Sequence, residues 1–168
     1  GNSVIFEGTV KTGICKVFEF SAGATGLSET FARIMNIDNI ETVINASPDK
    51  PGFMGGKLLV TKLVAEKGTG KVLGAQCVGP GDVSRQIAQW AMAVKAGFTV
   101  EDMINLDLPY APPFSLAIDH TIATAHIMQN KMKGRMKGIS SMGVKKKLDS
   151  GEKPFILDAR GPDEYEEM

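Results

Sequence analysis

The sequence predicts an α+β fold in which helices flank an antiparallel sheet. Two apolar segments, residues 57–66 and 71–79, are joined by four residues that include two glycines, which is typical of a β-hairpin. Apolar side chains recur at the helical period over residues 83–96, behind Asp82, a residue type that caps helices well. A second long helix is predicted over residues 115–131. Hairpin strands give an antiparallel sheet, on which such helices pack.

The helix over residues 83–96 has one apolar face. Its apolar positions Val83, Ile87, Trp90, Ala91 and Val94 follow the helical period. Arg85, Gln86 and Gln89 are predicted to point away from that face. Gly97 closes the helix.

The remaining elements of the first part of the chain are delimited by glycine and proline. A buried strand is predicted over residues 14–20, and a turn of small residues, 21–26, leads to a helix over residues 27–36. A second strand, residues 41–46, ends before prolines that a central strand excludes. Residues 99–106 begin with a capping box and predict a short helix.

Composition limits the classes of function. The chain has 168 residues, 43% hydrophobic and 23% charged, which is typical of a globular protein that needs no disulfide or metal to fold. Its 19 basic residues balance 19 acidic ones, so no overall field attracts nucleic acid or a membrane surface. No apolar run spans a bilayer, and the first residues lack signal-peptide features. We expect a cytoplasmic protein that binds neither nucleic acid nor membrane.

Charge pattern divides the chain. Seven Lys and Arg residues, with no acid among them, lie in residues 131–147, which is typical of a linker or solvated segment. Residues 153–160 predict a strand, and residues 163–167 predict the acidic first turn of a helix. We expect a fragment of a longer protein. Its tail is expected to be disordered, or ordered only by packing against its own or a neighbouring chain. The predicted organisation is a domain over 1–131, a basic linker over 132–150 and the truncated start of a second domain over 151–168.

By residue type alone, few side chains are candidates for catalysis. His120 and His126 lie six residues apart, which does not place them on one helix face, and both are predicted at the helix surface or an interface. Cys15 and Cys77 lie in apolar segments and are predicted to be buried, unreactive thiols. No metal-ligand spacing and no GxGxxG motif occur, so no metal or cofactor site is expected in this chain.

One segment carries an aromatic side chain on a restricted backbone. Each proline restricts the residue before it, so residues 108–114 are predicted to be extended. Tyr110 lies between these prolines. It is suited to an interface because its ring combines apolar area with a polar tip. The residues alone are equally consistent with a packed connection between elements.

Several separated motifs occur in the order found in one enzyme family. They are residues 13–18, Thr25-Gly26 before a helix, residues 71–79, and residues 110–115 followed by Asp119. In this order they resemble the C-terminal dimerisation domain of FAD-dependent pyridine nucleotide-disulfide oxidoreductases, within the branch of coenzyme A-disulfide reductases, NADH oxidases and polysulfide reductases. The resemblance covers roughly residues 5–131.

A second resemblance concerns the tail. Residues 155–165 resemble the opening strand and helix of a rhodanese domain. Members of the same branch that carry a C-terminal rhodanese domain combine the two pieces in this order. The active-site cysteine loop of a rhodanese lies well after its opening strand, so no sulfurtransferase activity is expected from residues 151–168.

The first resemblance implies a homodimeric parent enzyme. FAD and NAD(P)H would bind to domains outside this chain, together with a redox cysteine, and the substrate would be a sulfur-containing small molecule. Tyr110 would act as a catalytic residue in the partner subunit's substrate pocket. Residues expected to line the pocket or the interface are Phe53, Met54, Pro112, Pro113, Phe114 and Asp119. The fragment alone would bind no cofactor or metal and would be inactive.

The chain departs from the family pattern at two places. Coenzyme A-disulfide reductases often carry a tyrosine pair where this sequence has Phe53 and Met54, which disfavours coenzyme A disulfide as the substrate. The family's common Asp-Pro is Asp119-His120 here. Two other functions stay open: a free-standing interaction domain without redox chemistry, and a rhodanese-linked sulfur-carrier adaptor.

Overall fold

The computed structural model describes residues 5–166, which belong to two compact units. Unit 1 extends to Met136, and unit 2 begins at Lys137. The helices and strands of unit 1 are β1 (Gly13–Val17), β2 (Phe20–Gly26), α1 (Glu29–Ile34), β3 (Ile40–Pro48), β4 (Leu58–Glu66), β5 (Val72–Gly79), α2 (Val83–Ala96), α3 (Val100–Ile104) and α4 (His120–Met132).

Unit 1 is built on a five-stranded sheet in the order β1-β2-β5-β4-β3. Every pair of neighbouring strands is antiparallel, and β5 lies at the centre between β2 and β4. The β4–β5 hairpin matches the connection expected from its glycines. The predicted α+β fold with an antiparallel sheet and flanking helices is confirmed.

The core lies between one face of this sheet and the helices α2 and α4. Large side chains in this layer are fully removed from water, and each contributes about 1.5–3 kcal/mol of hydrophobic stabilisation. They are Leu63, Val72, Trp90, Met103 and Met128.

The prediction for the first strand is wrong. Val17 pairs with Phe20, so residues 14–20 form a hairpin rather than one strand. The turn places Phe18 at a φ of 51°, in the left-handed region that favours glycine or asparagine. Residues 21–26, predicted as a turn, belong to β2 because they pair with β5.

Helix α2 has the predicted ends but not the predicted orientation of every side chain. The Asp82 carboxylate accepts a hydrogen bond from the backbone N–H of Arg85, and Gly97 ends the helix at a φ of 72°. Gln86 is fully buried, in contrast to the outward position predicted for it. Its Oε1 accepts a 2.5 Å hydrogen bond from Thr121 Oγ1 on α4. The contact between α2 and α4 thus gives the buried amide oxygen a hydrogen-bond donor.

Helix α4 begins five residues later than predicted. The backbone N–H groups of Phe114 and Ser115 both donate to Ala111 O, so residues 112–114 form a turn instead of continuing the extended segment into a helix. Pro112 is half-buried in this turn and Pro113 is exposed.

Unit 2 contains helices and, within its described residues, no strand. Helix α5 (Ser141–Asp149) occupies the predicted basic linker; it is capped by the Ser140 hydroxyl and carries a Lys145–Asp149 ion pair. Residues 153–160, predicted as a strand, form no strand and are exposed. Helix α6 (Pro162–Glu166) lies where a helix was predicted, although residue 167 of that prediction falls outside the described residues.

Candidate functional site

The loop after β3 is tied to the start of α2. Asp49 is buried, and its carboxylate accepts hydrogen bonds from the backbone N–H of Lys57 at 2.8 Å and of Asp82 at 3.2 Å. These bonds close the loop between β3 and β4 and join it to the N-terminus of α2. The loop therefore has a fixed base at one end of the sheet.

The tip of this loop carries the first two predicted pocket residues. A short 3-10 turn, Gly52–Met54, ends at Gly55. A Cβ on Gly56 would lie 2.0 Å from the Lys50 carbonyl oxygen, so only glycine allows the chain to return this closely. Phe53 is 82% exposed and Met54 is partly exposed, so both side chains are free to contact another surface.

Tyr110 is presented by a segment whose backbone is held on both sides. Its side chain is 55% exposed, and Phe114 is 71% exposed. Ser115 is buried, and its hydroxyl donates to Pro109 O at 3.3 Å while its backbone N–H donates to Ala111 O at 3.1 Å. These bonds close a loop around Tyr110, whose side chain stays exposed.

Asp119 lies inside the protein. It caps α4 by accepting a hydrogen bond from the Thr121 N–H at 2.9 Å. Its second carboxylate oxygen is 3.5 Å from Nη2 of Arg85, which is also 3.8 Å, through Nε, from Asp82. The Arg85 guanidinium thus lies between the carboxylates that cap α2 and α4, and joins the two helix starts.

His120 is the first residue of α4 and is fully buried, so the predicted surface position is wrong. Its Nδ1 is 2.8 Å from Ser47 Oγ on β3, and its Nε2 is 2.8 Å from Thr61 Oγ1 on β4. Burial lowers the pKa of His120, although the nearby carboxylates of Asp119 and Asp49 act in the opposite direction. The imidazole is therefore neutral at pH 7. His126 is half-buried.

Other polar residues beneath α4 were missed by sequence reasoning. Asn45 Nδ2 donates to Thr124 Oγ1 at 3.0 Å and to His120 O at 3.3 Å. Asn45 and Thr61 are paired across β3 and β4, on the face that meets α4. One sequence signal indicates such residues. Alternate residues of a strand face the same side, so Thr61, between the apolar residues Leu59 and Leu63, is expected to be buried with them.

The opposite sheet face is only partly covered: Glu29 of α1 forms an ion pair with Lys62, a β4 residue on this face that is paired with Ile44. We call this surface the open sheet face. Five side chains define it, because the strand register places them on the same side of the sheet and they line one shallow depression: Cys15, Ala22, Ile44, Val60 and Val78. Ile44 and Val78 are both exposed. Such an apolar surface is typical of a contact with another domain or subunit.

The two cysteines lie on opposite faces. Cys15 is exposed, in contrast to the prediction, because β1 is an edge strand and this residue faces away from the helices. Cys77 is buried, as predicted, and burial raises the pKa of its thiol even though a hydrogen bond from Thr61 opposes the shift.

Residues 5–166 offer no evident site for a metal or a nucleotide. No group of three or more His, Cys, Asp or Glu side chains that could hold a metal occurs within them. The N-termini of α2 and α4 carry the carboxylates of Asp82 and Asp119, which would repel a phosphate group. Within the same range, no helix combines the length and the apolar character needed to cross a bilayer.

Comparison with known proteins supports the resemblance seen in the sequence motifs. The model of the pyridine nucleotide-disulphide oxidoreductase dimerisation domain matches residues 12–122. The NAD(P)H sulfur oxidoreductase (CoA-dependent) of Pyrococcus furiosus is 33% identical over 129 residues, which are 77% of this chain and 29% of that protein. The chain therefore spans less than a third of the length of this relative.

Two solved structures have the same fold. The NAD-dependent persulfide reductase of A. fulgidus is 40% identical, with a TM-score of 0.79 over 83% of this chain and 26% of that one. Reduced CoADR-RHD of Bacillus anthracis is 29% identical, with a TM-score of 0.89 over 96% of this chain and 29% of that one. By sequence motif, fold and family match, the chain belongs to the pyridine nucleotide-disulphide oxidoreductase dimerisation domain family.

Proposed function

We propose that this chain is the dimerisation and substrate-pocket module of a flavin-dependent NAD(P)H oxidoreductase that reduces a disulfide or polysulfide. Family membership supports the module. The names of similar proteins, a sulfur oxidoreductase and a persulfide reductase, support the substrate class. The activity is that of the parent protein, and the 168-residue chain is inactive alone.

The observation that carries this proposal is the exposed Tyr110 on an anchored segment. The Ser115 hydrogen bonds limit the positions that the phenol can take. In the dimeric parent, Tyr110 reaches the partner subunit's active site and donates a hydrogen bond to the sulfur atom that leaves as a thiolate. A donor fixed in advance acts most where charge develops in the transition state.

The exposed apolar side chains around this segment complete the proposed contact surface. Phe53, Met54 and Phe114 line the substrate pocket or the interface beside it, together with Pro112 and Pro113 of the turn. Asp119 supports this surface from within the protein, because it caps α4, the helix that follows the Tyr110 segment.

FAD and NAD(P)H are proposed to bind to other domains of the parent, where they supply the electron pair for reduction. The starts of the two long helices of unit 1 are closed by the carboxylates of Asp82 and Asp119, so neither start fits the phosphate groups of these cofactors. No step of the reaction is therefore assigned to a cofactor site in this chain.

We also propose that the open sheet face is buried in the homodimer. Replacing Val78 by lysine would place a charge in that surface, so we expect the mass measured by light scattering to shift toward the monomer. Met92→Lys is the matched control, because Met92 is an exposed apolar residue on α2. A dimer that survives Val78→Lys unchanged would remove this face from the proposed interface.

Residues 151–168 are proposed to begin a rhodanese-like domain. The motif resemblance is supported by the match to CoADR-RHD, which covers 96% of this chain and so extends past Met136 into unit 2. The longer protein would show whether this domain is complete, since thiosulfate sulfurtransferase activity requires the cysteine loop. Absence of a rhodanese sequence after residue 168 would refute this part.

Tyr110→Phe in the whole protein tests the proposed catalytic role. Loss of an oxyanion-hole donor costs about 10²- to 10³-fold in turnover, and a diffuse thiolate needs its donor less, so we expect a smaller decrease. The rate of flavin reduction by NAD(P)H should be unchanged. Tyr165→Phe is the control, since Tyr165 is the other tyrosine of the chain and lies in unit 2. Wild-type turnover of the sulfur substrate by Tyr110→Phe would refute the role.

A further inference from the structure

His120 connects α4 to two strands through both ring nitrogens. Ser47 lies at the end of β3 and Thr61 within β4, and each hydroxyl is 2.8 Å from one ring nitrogen. The backbone oxygen of His120 accepts two further hydrogen bonds, from Asn45 Nδ2 and Thr124 Oγ1. This one residue therefore fixes where the first turn of α4 lies on the sheet.

The Tyr110 segment ends at this clamp. Only four residues separate the buried Ser115, which closes the loop around Tyr110, from His120. The last of these four residues, Asp119, is itself held by the Thr121 N–H and by Arg85. A shift of His120 would be transmitted to Tyr110 because the intervening chain is short and anchored.

We propose that His120 is a positioning residue that fixes the Tyr110 segment against the sheet. This inference rests on the proposed role of Tyr110. A hydroxyl can donate or accept, so Ser47 and Thr61 satisfy either tautomer of the neutral ring. Proton uptake makes both ring nitrogens donors, which the two hydroxyls can still accept, but it places a charge in a buried site.

The charges that face the ring have opposing effects. Asp119, on the same helix terminus, and Asp49, in the loop after β3, favour the protonated form, whereas Arg85 on α2 disfavours it. Burial is the largest influence and lowers the pKa of His120. The ring is therefore neutral at physiological pH.

The test uses the whole protein with His120→Gln and, as the matched control, His126→Gln on the same helix. A misplacement of about 1 Å can cost about 10²-fold in rate, so we expect His120→Gln to lower sulfur-substrate turnover about 10- to 100-fold at pH 8. The rate of flavin reduction should be unchanged. A fluorotyrosine placed at position 110 reports the loop by its ¹⁹F resonance, which should be displaced in His120→Gln and should keep its wild-type position in His126→Gln.

Thr61→Val provides a second variant if His120→Gln folds poorly, since it removes a single ring partner. It should give a smaller loss of turnover and a displaced ¹⁹F resonance. Unchanged turnover and ¹⁹F signal in both His120→Gln and Thr61→Val, with turnover lowered by Tyr110→Phe, would overturn the positioning role and leave the proposed function intact. Unchanged turnover in Tyr110→Phe, with a displaced ¹⁹F signal in His120→Gln, would refute the proposed function while the clamp itself stands.

Discussion

The carboxylate of Asp49 accepts a hydrogen bond from the backbone N–H of Asp82 at 3.2 Å, which joins the loop after β3 to the first turn of α2. Its other oxygen accepts from the N–H of Lys57. Helix N-termini and tight loops both leave backbone N–H groups without intrahelical partners, and one buried side chain satisfies two of them here.

Asp49→Ala should therefore lower the free energy of unfolding by about 1–3 kcal/mol, the cost of leaving buried polar groups unsatisfied. Asp49→Asn keeps one acceptor oxygen and should lose less. Urea unfolding followed by circular dichroism measures both. Equal stability of the alanine variant and the wild type would show that water replaces the carboxylate without cost.

A comparison of alanine substitutions at Gly26 and Gly68 distinguishes the cost of backbone strain from the cost of a steric clash. Both have positive φ, 65° and 83°, but a Cβ on Gly26 would lie 2.2 Å from the Leu73 carbonyl oxygen, whereas Gly68 has open space. Gly68→Ala should cost about 1–2 kcal/mol from strain alone. Gly26→Ala should cost about 1–3 kcal/mol more, because backbone atoms must move. Similar midpoints in thermal unfolding for the two variants would contradict the close contact.

The lowered pKa of His120 predicts a pH dependence of stability. In the unfolded chain the ring binds a proton near pH 6.5, whereas in the folded chain it does so only at lower pH. The unfolded state then binds more protons, so this contribution to stability is complete above about pH 6.5 and decreases as pH falls, by at most about 1.4 kcal/mol per unit.

His120→Gln should remove this slope below about pH 6.5, and His126→Gln should retain it. Carboxylates affect the stability at lower pH than His120 does. For example, hydrogen bonds from Lys62 and Arg33 lower the pKa of Glu29 from 4.5. Urea midpoints measured at half-unit steps of pH separate the two ranges. A slope that persists in His120→Gln would assign it to another group.

The two thiols should react at very different rates. Cys15 is exposed, whereas Cys77 is buried and has a raised pKa, so a chromogenic disulfide reagent should modify one thiol of the folded chain rapidly and the second only on unfolding. Cys15→Ser removes the rapid phase and identifies it. If the open sheet face is an interface, modification of Cys15 slows as the protein concentration rises, and Val78→Lys restores the rate.

Short-range signals explain which parts of the fold were predictable. The capping box of Thr99 and Asp102 and the Asp82 cap each act within three residues, so the sequence pattern contains the whole interaction. The β1–β2 turn lacks such a signal, because Phe18 adopts a positive φ with neither glycine nor asparagine present. Tertiary pairing with β5 stabilises a turn that local propensity disfavours.

In the candidate site, too, features set by nearby residues could be predicted from the sequence, and features set by distant residues could not. The prolines around Tyr110 indicated a restricted segment, and its side chain is exposed on anchored backbone. The burial of His120 depends on Ser47 and Thr61, which are 73 and 59 residues away in the chain. Periodicity cannot identify a partner at that distance, and a polar residue at a helix start is usually solvated.

The strand order has a consequence for how the chain folds. β2 precedes β5 by about fifty residues yet pairs with it directly. In contrast, β3 and β4 can pair with each other before β5 has been synthesised. Until residues 72–79 leave the ribosome, β1 and β2 are an isolated two-stranded ribbon, which is marginally stable in water. Closing the β2–β5 pair costs the entropy of the longest loop in the sheet, so it is expected to be a late, rate-determining event. Because the central strand is the last of the five to be synthesised, assembly of the sheet awaits more than half of the length of unit 1.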